Sequence, residues 1–110
     1  MEVKTNVRFA DAKLRDEFIK LGEGREQEKK LKEWLEGAFA KIEKDAFCGV
    51  QIPKRLIPKE YKKYNVDNLW KINLPEAWRL IYTIKRDEVV ILGIILEWVD
   101  HKEYEKRFKY

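Results

Sequence analysis

The sequence predicts an α+β fold in which helices come early in the chain and antiparallel strands come together near its end. One strong helical stripe in the first half and three strand-like segments in the second half are typical of that class. A length of 110 residues suits one domain, and 45% hydrophobic residues supply one core. We therefore treat residues 1–110 as a single domain.

The first half predicts a strand followed by two helices. Residues 3–9 alternate apolar and polar side chains, as a strand does. Asp11 stands where the N-cap of a first helix belongs, and residues 22–24 are expected to end that helix, because their glycines tolerate positive φ. Residues 27–47 then predict a longer amphipathic helix packed on the core. Its apolar stripe comprises Leu31, Trp34, Leu35, Ala38, Phe39, Ile42 and Ala46.

The second half predicts an antiparallel three-strand meander and a short C-terminal helix. Residues 48–68 contain two prolines and many cations, and we expect them to be irregular. The predicted strands and turns are residues 69–73, turn 74–76, residues 77–84, turn 86–88 and residues 89–98. The last strand is apolar on both faces, which predicts an interior place in the sheet. Asp100 is the expected N-cap of a final helix over residues 101–108.

Composition limits the partners and the compartment. The 24 Lys and Arg against 20 Asp and Glu give a net charge of +4, which permits an acidic partner or nucleic acid. Apolar runs too short for a signal peptide or a membrane span predict a cytoplasmic protein without a membrane partner. A single cysteine, Cys48, allows no internal disulfide, so no disulfide partner is expected, and one histidine adds too few ligands for a zinc site. We expect Cys48 to be buried.

Two cations, Lys71 and Arg79, are predicted to lie side by side on the sheet. A three-residue turn at residues 74–76 would place them opposite each other, on the face away from Trp70 and Trp78. Like charges repel, so a phosphate between them would explain the arrangement. The alternative is a solvated sheet face on which Arg79 pairs with Glu97.

A second set of candidates lies in the loop before these strands, where cations alternate with apolar and aromatic residues. Charges that meet phosphates and rings that stack on bases suit a polynucleotide, although a solvated surface has the same pattern. The candidate RNA contacts are Lys54, Arg55, Lys59, Tyr61, Lys62 and Lys63.

His101 and Tyr104 complete the candidate set. Histidine titrates near neutral pH and can donate or accept a proton, although a lone histidine is also common on surfaces. The chain contains no serine and no Gly-rich phosphate loop, and its acidic residues lack metal-ligand spacing. A metal nuclease and a nucleotide hydrolase are therefore disfavoured, and no metal or cofactor is expected.

Residues 69–74 (LWKINL) and 78–84 (WRLIYTI), the apolar strand, and residues 100–104 (DHKEY) together resemble the RelE/ParE superfamily of bacterial and archaeal toxins. The motifs cover residues 69–104, and the order of elements agrees with that family over nearly the whole chain. The resemblance implies the toxin of a type II toxin–antitoxin pair. RelE-like members cleave ribosome-bound mRNA without metal, so the implied partners are an antitoxin protein, mRNA and the ribosome.

The resemblance also implies roles for individual residues. Arg79 matches the family's strand arginine, which stabilises the phosphate, and Lys54 and Arg55 match the loop that supplies cations to the active site. His101 and Tyr104 resemble the C-terminal pair that acts in proton transfer or base stacking, and Lys71 would contact the RNA backbone. The alternatives are a ParE-like inhibitor of DNA gyrase that cleaves nothing, and a non-catalytic module that binds nucleic acid or an antitoxin.

Overall fold

In the computed structural model, the described residues, 4–86 and 90–108, form a five-stranded mixed sheet with helices on both faces. The strands are β1 (Lys4–Phe9), β2 (Val50–Ile52), β3 (Leu69–Asn73), β4 (Arg79–Arg86) and β5 (Val90–Val99), in the order β1-β5-β4-β3-β2. The helices are α1 (Ala12–Leu21), α2 (Glu26–Lys44) and α3 (His101–Phe108). Short 3-10 turns span Ala46–Cys48, Lys54–Leu56, Lys59–Tyr64 and Pro75–Ala77.

The α+β prediction is confirmed, but the sheet is larger than a three-strand meander. β3, β4 and β5 form the predicted meander, and β1 adds to it in parallel beside β5. The described part of residues 48–68 is not wholly irregular, because β2 pairs with β3 there. A strand of three residues followed at once by Pro53 is too short to show an alternating pattern in the sequence. Its first residue, Val50, is apolar but 57% exposed, so the pattern does not mark a buried face either.

Helices α1 and α2 cover one face of the sheet. The Asp11 cap is confirmed, since its Oδ1 accepts a hydrogen bond from the backbone N–H of Leu14 at 2.8 Å. The predicted end of this helix at residues 22–24 is confirmed, and Gly22 caps α1 with a φ of −68° without using the positive φ that glycine tolerates. The buried residues of this layer are Leu14, Leu31, Leu35, Ala38, Ile42, Ala46, Leu74, Leu80, Tyr82, Ile84 and Ile95.

The opposite face is covered by α3 and the 3-10 helix Lys59–Tyr64. The predicted N-cap of α3 is confirmed by a 2.8 Å hydrogen bond from the backbone N–H of Glu103 to Asp100 Oδ1. The buried residues of this layer are Ile52, Tyr61, Leu69, Ile81, Leu96, Val99, Tyr104 and Phe108. Both faces of the central strands are therefore apolar and covered.

The connection between β3 and β4 is longer than predicted and changes their register. Leu74 and Trp78 close it with a 2.8 Å bond from the N–H of Leu74 to the carbonyl of Trp78. Glu76 and Ala77 have positive φ of 57° and 63°, which non-glycine residues rarely adopt. The predicted three-residue turn is therefore wrong, and Arg79 pairs with Asn73 rather than with Lys71.

A β-bulge interrupts the pairing of β4 with β5. Ile81 pairs with Glu97, whereas the next residue, Tyr82, pairs with Ile95. Leu96 is therefore an extra residue in β5, and it lies in the α3 layer next to Glu97. The bulge lets two consecutive side chains serve the same face of the sheet.

Some predictions fall on residues at the limits of the described chain. Val3, Val89 and the predicted turn residues Asp87 and Glu88 lie outside it. The expected burial of Cys48 is wrong, because this cysteine is exposed in the 3-10 turn after α2. Within residues 4–86 and 90–108, each helix is too short or too polar to cross a membrane.

Candidate nucleic-acid interface

Lys71 and Arg79 converge on one aromatic ring at the α3 side of the sheet. The Nζ of Lys71 lies 4.9 Å from the centroid of the Tyr104 ring, and the Cζ of Arg79 lies 5.3 Å from it. The changed register shifts β4 by two residues, which preserves the face on which a side chain lies. The two cations are therefore diagonal neighbours rather than a directly opposite pair. We call Lys71, Arg79 and Tyr104 the cation cluster.

The cation cluster carries positive charge without a carboxylate partner among the described residues. Among the described residues, neither Lys71 nor Arg79 forms an ion pair. Arg79 donates one 3.2 Å hydrogen bond from its guanidinium to the carbonyl of Trp78. Its Nε is buried and has no acceptor among the described residues. Cation–π contact stabilises each cation by about 0.5–2 kcal/mol but leaves their mutual repulsion in place. An anion at this point would relieve the repulsion between the two cations.

The pairing of Arg79 with Glu97, the alternative from the sequence, is not found. Glu97 forms an ion pair with Arg107 instead, and Oε2 of the same carboxylate accepts a 2.8 Å hydrogen bond from the hydroxyl of Tyr61. Arg107 also pairs with Glu103 at 2.7 Å and with Glu60 at 3.8 Å. We call these five residues the Arg107 network.

The Arg107 network joins α3 and the 3-10 helix to β5. Burial lowers the pKa of Arg107, but its hydrogen bonds to Glu97 and Glu103 outweigh that effect and hold it above its ordinary value. Sequence reasoning missed this network. The signal was a lone carboxylate in an otherwise apolar strand, which requires a buried partner.

Tyr104 and His101 lie in different environments although they share α3. Tyr104 is only 4% exposed and stacks on Phe108 with ring centroids 4.5 Å apart, so it forms the floor of the cation cluster. His101 is exposed, and its Nε2 lies 3.1 Å from a carboxylate oxygen of Glu105, one turn further along the helix. The geometry places the Tyr104 ring beneath the two cations and leaves His101 at the surface.

The predicted basic loop supplies exposed charge beyond the end of β2. Lys54 and Arg55 follow β2, whose last residue pairs with Leu69 at the beginning of β3. Arg79 instead faces Asn73, about 13 Å further along that strand at 3.3 Å per residue. The other exposed cations of the loop are Lys59, Lys62 and Lys63.

Tyr61 does not present its ring to a ligand in this structure. It is 1% exposed and packs against Phe108 in the α3 layer. Burial raises the pKa of Tyr61 above its ordinary value, and the neighbouring Glu97 raises it further. Its hydroxyl therefore stays protonated as a donor to that carboxylate.

Comparison with known proteins adds no assignment to this geometry. No family model matches the chain, and no curated protein or solved structure matches it either.

Proposed function

We propose that this protein is the toxin of a type II toxin–antitoxin pair and cleaves ribosome-bound mRNA without a metal ion, in the cytoplasm. The observation that carries the proposal is the cation cluster, in which Lys71 and Arg79 share one ring and lack a carboxylate partner within the described chain. The resemblance of residues 69–104 to RelE-like toxins supplies the reaction class. The antitoxin would neutralise the enzyme by covering this basic face.

The proposed reaction uses the RNA's own 2′-hydroxyl. That oxygen attacks the adjacent phosphorus, the bond to the 5′-oxygen breaks, and the products are a 2′,3′-cyclic phosphate and a free 5′-hydroxyl. The phosphorane between them carries extra negative charge, which Arg79 and Lys71 would stabilise. His101, whose ring is exposed beside Glu105, would take the proton from the attacking 2′-hydroxyl or give one to the leaving 5′-oxygen, and solvent water would serve the other oxygen.

The test is primer extension on an mRNA programmed into ribosomes, with and without the protein. The proposal expects a new 5′ end within the decoding-site codon only when ribosomes are present. Arg79→Ala should lower the cleavage rate about 100-fold or more, because a charge aimed at the phosphorane is lost. Its fold should survive, since the half-buried Arg79 makes only one hydrogen bond in the described structure.

Matched variants separate chemistry from general charge. Lys20→Ala removes an exposed cation on α1 and should leave cleavage unchanged. Tyr104→Phe keeps the ring beneath the cations and should also retain cleavage. Equal cleavage by Arg79→Ala and the parent protein would remove the cation cluster from the mechanism. An intact message despite growth arrest would refute the nuclease and favour inhibition of DNA gyrase.

A further inference from the structure

We propose that a second site, at the other end of the sheet, binds single-stranded nucleic acid by stacking one base on Phe47 and holding the adjoining phosphate with Arg86. This site goes beyond the proposed nuclease and does not depend on cleavage. We call it the Phe47 cleft.

The Phe47 cleft lies where α2 ends, β3 begins and β4 ends. It is an open cleft with a volume of about 670 Å³. The lining residues that matter for binding are Phe47, Gln51, Asn65, Asp67 and Arg86.

An exposed aromatic ring forms one wall. Phe47 is 41% exposed, and its ring meets Trp70 edge to face, with centroids 5.5 Å apart. The Cζ of Arg86 lies 5.2 Å from the centroid of the Phe47 ring. An aromatic ring and a guanidinium plane are the two surfaces on which proteins stack unpaired bases.

Positive charge lies beside that ring at Arg86. Arg86 is exposed and forms no ion pair with any residue that the structure describes, whereas its neighbour Lys85 lies on the opposite face of β4. Asp67 also lines the cleft, and one of its oxygens accepts a 2.8 Å bond from Asn68. The phosphate is therefore placed at Arg86, and the donor groups of the base at Asp67.

Two amide side chains are available for the edge of the base. Gln51 and Asn65 make no side-chain hydrogen bond with the described residues. Asn68, in contrast, is fully engaged: it donates to the carbonyl of Ile84 at 2.9 Å and accepts from the indole of Trp70 at 3.1 Å. Asn68 therefore fixes the wall, while Gln51 and Asn65 can bond a ligand.

The Phe47 cleft is separate from the cation cluster. Arg86 follows Arg79 by seven residues on β4, about 23 Å at 3.3 Å per residue. An odd number of residues along a strand also places the two side chains on opposite faces. Because Phe47 and Arg86 are both exposed, the cleft cannot enclose a free nucleotide as small-ligand sites do. A strand, held by several such contacts, fits it better.

The test is fluorescence anisotropy with a labelled single-stranded hexadeoxynucleotide, which has no 2′-hydroxyl and cannot be cleaved by the proposed reaction. Phe47→Ala should weaken binding roughly 5- to 150-fold, the range for loss of one stacked base. Phe47→Trp should restore the affinity. The matched control is Ile19→Ala, which removes a 50% exposed apolar side chain on α1 and should change nothing.

The salt dependence supplies an independent measurement. Arg86→Ala should reduce the slope of log affinity against log salt by about 0.7, the value for one lost phosphate contact on a single strand. Arg15→Ala, which removes an exposed arginine on α1, should leave the slope unchanged. Melting temperatures of each variant confirm that the protein under study is folded.

Three results would overturn the proposal. They are equal affinities of Phe47→Ala and Ile19→Ala, an unchanged salt slope in Arg86→Ala, and an affinity for adenosine monophosphate that matches the hexamer. The last would mark a mononucleotide site. Failure of the nuclease proposal would give a different result. Primer extension would then show an intact mRNA on the ribosome, while binding of the hexamer would still depend on Phe47.

Discussion

Replacing Arg107 with methionine tests whether the Arg107 network holds the α3 layer on the sheet. Arg107 is 16% exposed and is the residue that contacts all three carboxylates, those of Glu60, Glu97 and Glu103. Methionine keeps most of the apolar stem and removes the charge. The variant therefore measures the ionic contacts with little change in packing volume.

The expected loss of stability follows from the exposure of each partner. Glu97 is 28% exposed, and a charged hydrogen bond in such a place contributes about 1.5–3 kcal/mol. Glu103 and Glu60 are 43% and 47% exposed, so each adds about 0–1 kcal/mol. We expect Arg107→Met to lower the free energy of unfolding by about 2–4 kcal/mol.

Urea denaturation followed by tryptophan fluorescence measures this change. The control is Arg15→Met, because the Arg15–Asp16 pair is 3.9 Å long with both side chains 60% exposed, and its loss should cost less than about 0.5 kcal/mol. Replacing Arg107 and Glu97 together by methionine should cost less than the sum of the single changes. A loss in Arg107→Met no larger than in the control would refute the reasoning.

Three further results are expected. Burial raises the pKa of both Tyr61 and Tyr82, so their contribution to stability is complete below pH 10 and is lost as the pH rises above it. The loss is up to about 1.4 kcal/mol per pH unit for each tyrosine. Urea denaturation between pH 9 and 11 measures this decline in the free energy of unfolding, and Tyr61→Phe should make it less steep. Gly93→Ala would place a Cβ 2.6 Å from Cγ2 of Ile42, so we expect the free energy of unfolding to fall by about 1–3 kcal/mol. Thermal denaturation measures this loss, and an unchanged melting temperature would contradict the contact. Cys48 is exposed, so a thiol reagent should modify it fully without denaturant, and protection in the native protein would show that it is covered.

The sequence predicts the faces of the strands better than their register. Alternation predicts that Trp70 and Leu80 share one face of the sheet and that Lys71 and Arg79 share the other, and this is confirmed. The register depends on the connection between β3 and β4, where positive φ falls on Glu76 and Ala77 rather than on a glycine. No rule of residue preference predicts that conformation, so a turn two residues shorter was inferred.

The candidate site could be predicted only where it depends on local sequence. The convergence of Lys71 and Arg79 follows from the period of a strand, which is local. The burial of Tyr61, the Arg107 network and the Phe47 cleft depend on which distant segments meet, and the sequence pattern carries no such information. Their prediction needs the tertiary structure, although the isolated carboxylate of Glu97 pointed to a buried partner.

The bulge at Leu96 determines which changes of length β5 can absorb. In a regular ladder, removal of one residue turns every later side chain to the wrong face of the sheet. Here, deletion of Leu96 would leave Ile95 and Glu97 consecutive, opposite Tyr82 and Ile81, and would make the ladder regular. The cost would be one buried side chain rather than a reversed strand. Single-residue insertions and deletions among relatives should therefore collect at this position, where evolution can lengthen or shorten the strand without exchanging its two faces.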